Sequence, residues 1–78
     1  RLRGFVLTGR GIPRHGYELV NSDGETIGEV TSGTMSPVLN KGIGMGYVAK
    51  EYSAFGTGIF VKIRNKVIPA EIVKLPFI

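Results

Sequence analysis

Glycine and proline decide most of what this chain can become. Twelve glycines and four prolines are spread through 78 residues. No stretch of twelve residues keeps a helical apolar period free of them, so helices of ordinary length are excluded and short strands remain. The fold class expected is all-β, a small barrel of about six short, mostly antiparallel strands. Residues 1–78 form a single domain, because the length admits no second core. A domain of this size buries only about 60% of its unfolded surface. It therefore needs a well-closed core or a neighbour to pack against.

The strands follow from local pattern. Leu2 to Thr8 is β-rich, and Gly9-Arg10-Gly11-Ile12-Pro13 ends it as a loop. Tyr17 to Val20 reads as a second strand, turned at Ser22-Asp23-Gly24 into Glu25 to Thr34. Ile27 and Val30 fall on opposite faces of a regular strand, which places a bulge or sharp bend at Gly28. Ser36-Pro37 opens a turn or a single helical turn, and Gly42 to Val48 is a glycine-laced strand. Lys50 to Thr57 is a loop. Ile59, Val61 and Ile63 then alternate with Phe60, Lys62 and Arg64, and an Asn65-Lys66 turn leads into Val67 to Leu75. Ile68, Ala70 and Ile72 share one face of that last strand, while Pro69 places it at an edge or locally unpaired.

Composition removes several kinds of chemistry. There is no cysteine, which excludes disulfide scaffolds, zinc ribbons and thiol catalysis. One histidine cannot build a His-rich metal site, so no metal is expected. The apolar runs are too short to span a membrane. Ten Lys and Arg against six Asp and Glu leave a net charge of +4, which favours an acidic partner without specifying one.

The candidate motifs mostly resolve into structure. Gly44, Gly46 and Ala49 match a G-x-G-x-x-A phosphate loop, but Tyr47-Val48 continues as strand and Gly56 comes too soon for the required helix. Alternating glycines here are better read as room for another backbone or a bulky side chain. Placing Gly24 at the invariant glycine of a calcium loop puts Leu19 and Val30 at ligand positions, and neither binds calcium. His15 has only Glu18 within four residues and is a loop histidine rather than a general base. The hydroxyls of Thr31, Ser32, Thr34 and Ser36 lack an activating base and read as partners for backbone groups. No catalytic residue is identified. Arg14, in the loop after Pro13, has the guanidinium that can clamp a carboxylate. Arg1 and Arg3, with Lys62, Arg64 and Lys66 on the last hairpin, are either a solvated face or a docking patch.

Specific words in the sequence go further. Ile12-Pro13-Arg14-His15-Gly16-Tyr17-Glu18-Leu19, the run from Val30 to Lys41, Ile43 to Val48, and Val73-Lys74-Leu75-Pro76-Phe77 resemble the C-terminal barrel of the aminomethyltransferase family, the T-proteins of the glycine cleavage system. The T-S-G-x-x-S-P-x-L-x-K-x-I-x-M-G-Y-V string carries most of that resemblance. It implies membership of a tetrahydrofolate-dependent enzyme that takes an aminomethyl group from the lipoylated H-protein and releases ammonia. It also implies that the catalytic aspartate lies in N-terminal domains absent from these residues. The barrel would be one wall of a folate channel, its apolar face packed on those domains, in bacterial or archaeal cytoplasm or in the mitochondrial matrix. On this resemblance Arg14 is a candidate contact to the cofactor, and Arg1, Arg3, Arg64 and Lys66 are candidates for H-protein docking. The alternative is a free-standing basic barrel that binds single-stranded nucleic acid or an acidic protein. Only Phe60 then stands beside basic residues as a stacking platform, so nucleic acid is the weaker partner.

Overall fold

The alternation of apolar and polar residues closes the chain on itself. A computed structural model describes residues 1–74. It contains β1 (Leu2–Leu7), β2 (Glu18–Val20), β3 (Thr26–Ser36), β4 (Lys41–Val48), β5 (Gly58–Ile63) and β6 (Lys66–Val73). A single 3₁₀ turn spans Lys50–Tyr52. Every strand pairing is antiparallel, and the order β1-β4-β3-β2-β5-β6 closes as a barrel. The expected all-β barrel is observed. The last residues of the Val73–Phe77 motif, and the end of the predicted last strand at Leu75, lie outside the described residues.

Inward-facing side chains fill the barrel. Phe5, Leu7, Leu19, Ile27, Val30, Val48, Ile59, Val61, Ala70 and Ile72 make one buried cluster. Ile27 and Val30 are both inside, as a bulge requires, but the extra residue is Ile27 itself, between Leu19 opposite Gly28 and Val20 opposite Thr26. A second irregularity skips Thr31 against β4, whose hydroxyl donates to the Met45 carbonyl at 3.1 Å. Each bulge bends β3 so that one long strand can serve two neighbours around a tight curve.

One sequence expectation is corrected and another is decided. The last turn is Arg64-Asn65, not Asn65-Lys66, because Ile63 pairs with Lys66. Positive φ consequently falls on Arg64, at 57°. Of the two readings of Pro69, the closed barrel excludes the edge, and the locally unpaired position holds. It sits opposite Phe60 of β5, and its carbonyl accepts from the Thr8 amide at 2.8 Å on the other side. The missing N–H faces the place where β1 ends, so no ladder bond is lost within the strand.

Three connections are hairpins, and two cross the barrel ends. The segment from Thr8 to Tyr17 spans one mouth from β1 to β2, on opposite sides of the ring. Pro13 is fully buried there, against Gly33 and Gly42. The segment from Ala49 to Thr57 spans the other mouth from β4 to β5, burying Ser53. That closure is tied down by Asn21. Its Oδ1 accepts from the Asp23 amide at 3.0 Å and the Glu25 amide at 2.9 Å. Its Nδ2 donates to Glu25 Oε1 at 2.9 Å and to the Tyr52 hydroxyl at 3.1 Å.

Candidate functional site

Strand direction sorts the charged loops to two ends. β1 runs toward Thr8, β4 begins beside it, and β5 and β6 meet at Arg64-Asn65, so these connections share one end. That end carries Arg10, Arg14, Lys41, Arg64 and Lys66, and its segments 8–16, 37–41 and 64–66 contain no Asp or Glu. The opposite end holds Arg1, Arg3, Lys50 and Lys74 together with Asp23, Glu25 and Glu51. The molecule is therefore electrically polar. Five cations at one mouth, against the carboxylate of Glu18 at the start of β2, raise the local concentration of an anion or an acidic surface in a salt-dependent way.

Local geometry holds this cationic end open to solvent. Arg14 is exposed, its carbonyl accepting from the Tyr17 amide at 3.1 Å. The Gly16 amide donates to the Val30 carbonyl at 2.9 Å, which pins the loop on β3. Lys41 follows the β3–β4 turn, where Asn40 takes φ of 55° and donates to the Ser36 carbonyl at 2.7 Å. The Ser36 hydroxyl accepts from the Leu39 amide at 3.1 Å, bearing out the reading of that hydroxyl as a backbone partner. Between these loops lies a groove of about 270 Å3 bordered by Arg10, Gly11, Met35, Asn40 and Lys41. Such a groove suits a carboxylate tail. It contains no aromatic face or buried carboxylate that would hold a pterin ring.

The sequence-predicted docking residues divide between the ends. Arg64 and Lys66 lie with Arg14, an association that sequence order conceals. Arg1 and Arg3 lie at the far end of β1. Arg3 is half-buried, with Nε donating to the Ser53 carbonyl at 2.8 Å and its guanidinium 5.4 Å from the Phe55 ring centre. It fastens the 49–57 crossing to β1. Arg10 and Lys41 were not singled out from sequence, because only the closed topology brings their loops beside Arg14.

The β4 glycines build a strand and not a nucleotide loop. Gly42, Gly44 and Gly46 point inward, and a Cβ on Gly44 would stand 2.7 Å from Phe5 Cζ. Those glycines admit core side chains, as the structural reading of the motif held. Among the described residues no group of three His, Cys, Asp or Glu side chains is placed to hold a metal ion. Nor does any buried side-chain N or O atom among them lack a partner. No helix there is long and apolar enough to cross a membrane. Phe60, the candidate stacking platform, is half-buried opposite Pro69 on the barrel wall, away from the cationic loops.

Comparison with known proteins agrees with the fold. Residues 1–78 match the family described as glycine cleavage T-protein C-terminal barrel domain. An aminomethyltransferase from Phocaeicola vulgatus is 61% identical over 77 residues, covering 99% of this chain and 21% of that protein. One from Halothermothrix orenii is 55% identical over 78 residues, 100% of this chain and 22% of its own length. The crystal structure of glycine cleavage system aminomethyltransferase T from Bartonella henselae superposes with a TM-score of 0.88 at 34% identity, covering 99% of this chain and 21% of that one. The chain thus spans about a fifth of the length of these relatives. With the six-stranded closed barrel, this places the chain in the family of glycine cleavage T-protein C-terminal barrel domains.

Proposed function

We propose that this chain acts as the C-terminal domain of a tetrahydrofolate-dependent aminomethyltransferase of the glycine cleavage system, contributing a channel wall and a charged surface rather than catalytic groups. The observation that carries the reading is the family match across residues 1–78, joined to a closed six-stranded barrel. In that enzyme tetrahydrofolate accepts the aminomethyl carbon and ammonia leaves. The groups for that chemistry belong to the N-terminal domains, which are also the barrel's first partners. The bacterial cytoplasm is the compartment that the bacterial relatives support.

Two contributions are assigned to this chain's own residues. Arg14, exposed at the cationic end, is positioned to attract the carboxylate tail of the cofactor. Arg64 and Lys66, with Arg10 and Lys41 beside them, form the stronger half of a docking surface for an acidic lipoylated H-protein. Arg3 serves mainly to brace the opposite mouth, and Arg1 stands beside it. Steady-state kinetics of a full-length enzyme carrying this domain tests the first assignment. Arg14→Ala removes an exposed charge contact of about 1 kcal/mol, which raises the Michaelis constant for tetrahydrofolate roughly fivefold at unchanged kcat. An unaltered Michaelis constant removes Arg14 from the cofactor site.

A further inference from the structure

The outward face of β1 and β4 is apolar, and its register makes it continuous. Phe5 and Leu7 of β1, and Gly42, Gly44, Gly46 and Val48 of β4, point into the barrel. Leu2, Gly4 and Val6 therefore point out, as do Ile43, Met45 and Tyr47. Leu2 lies opposite Tyr47, Gly4 opposite Met45 and Val6 opposite Ile43. Val73 of β6 extends the block beside Gly4. On the other flank Met45 and Ile43 meet Ser32 and Thr34 of β3, across an open groove of about 270 Å3.

The middle of this wall carries no lysine or arginine: Lys41, on the same outward side of β4, stands at the cationic end, and Arg3 and Lys74 line the groove at the Leu2–Gly4–Val73 corner. The carboxylates of Glu29, opposite Tyr47, and Glu71, opposite Val6, stand at the wall's borders. Leu2 remains 42% exposed and Tyr47 60%. A contiguous apolar block rimmed by polar groups marks an interaction surface, unlike single exposed apolar residues. The contrasting β5–β6 wall presents Lys62, Arg64, Lys66 and Glu71 to solvent.

We infer that the β1–β4 wall is the face by which the barrel packs on the N-terminal portion of a full-length aminomethyltransferase. This rests on the reading of the chain as that enzyme's C-terminal domain. Relatives carry about four-fifths of their length outside the matched part, which is their C-terminal barrel, so that remainder connects at β1. The connection is made at the wall's own corner. Leu2 is its first member, and the Arg1 carbonyl accepts from the Val48 amide at 2.7 Å, holding the entering chain against β4. The occupant is thus the preceding polypeptide and not a separate protein. Its contacting surface is apolar, because a lysine or glutamate set against Ile43 and Met45 would be desolvated without a partner.

Hydroxyl-radical footprinting of a full-length aminomethyltransferase carrying this barrel, beside the 78-residue chain, tests the assignment. Met35, at the cationic end and 41% exposed, is the internal reference. In the full-length protein oxidation at Met45 and Tyr47 falls about tenfold relative to the short chain, while Met35 changes less than about twofold. Met45 and Tyr47 as reactive as Met35 in the full-length protein overturns the inference, whether or not the short chain folds. As a second measurement, Met45→Lys in the full-length protein accelerates limited proteolysis at the junction before Arg1. An unchanged cleavage rate there also overturns it. A dimeric short chain whose wall stays reactive in the full-length protein gives the face to self-association and refutes the assignment. Protection of the wall in a protein without aminomethyl transfer activity upholds the interface and overturns the functional reading instead.

Discussion

Replacing Asn21 tests how the barrel end opposite the cationic mouth is held shut. This buried amide uses its whole side-chain capacity. Oδ1 takes the Asp23 and Glu25 amides, and Nδ2 serves Glu25 Oε1 and the Tyr52 hydroxyl, with distances between 2.9 and 3.1 Å. A typical intramolecular hydrogen bond contributes about 1 kcal/mol net, so Asn21→Ala should cost about 3–4 kcal/mol. A 78-residue domain has only about 4–12 kcal/mol in total, so this one amide accounts for about a quarter or more of it. Asn21→Asp keeps the acceptor for both turn amides, loses the donor and sets a carboxylate against Glu25; about 2 kcal/mol should go. Tyr52→Phe removes one bond and should cost about 1 kcal/mol. Urea unfolding of the 78-residue chain reads these as falls in midpoint at constant slope. The thermal midpoint should drop by about 12 °C or more for Asn21→Ala. If Asn21→Ala loses less than about 0.5 kcal/mol, the cross-brace between the β2–β3 turn and the 49–57 crossing does not hold the fold, and the reasoning is wrong.

Two other perturbations separate packing from docking. Gly44→Ala puts a Cβ 2.7 Å from Phe5 Cζ and 2.8 Å from the Ser32 carbonyl oxygen, so chemical denaturation should show a loss of about 1–3 kcal/mol from overpacking; no loss would mean the β4 glycines are not needed for core space. Charge reversal of Arg64 and Lys66 to Glu should weaken H-protein binding by a full-length enzyme at low salt by about tenfold, measured by titration calorimetry, with the gap closing as salt rises. Equal affinities at low salt would place the carrier elsewhere.

Much of the fold is legible in the sequence because its signals are local. Glycines and prolines cut the chain at short intervals, and Ile59 to Arg64 alternates with period two, so strand content and antiparallel hairpins follow directly. Asp23-Gly24 marks a turn by its own backbone chemistry, and Gly24 takes φ of 82° there. The last hairpin is displaced by one residue because cross-strand pairing outweighs asparagine's preference for positive φ, leaving that conformation to Arg64. Pro69 is decided by pairing as well. Its missing N–H signals a missing partner, which sequence leaves open between an edge and a local gap, and here the neighbouring strand simply ends beside it.

The candidate site divides along the same line. Arg14 and the Arg64-Lys66 pair are visible as cations in loops, and the family words surrounding Arg14 tie them to aminomethyltransferases. The sequence by itself determined an all-β barrel domain and its family. Tertiary structure alone decided that Arg10, Arg14, Lys41, Arg64 and Lys66 share one mouth, that Arg3 instead braces the other, and that Leu2, Met45 and Tyr47 align on one wall. The physical reason is that charge and apolar surface act through space. Strand order and register bring together residues separated by tens of positions, and no local preference encodes those neighbours.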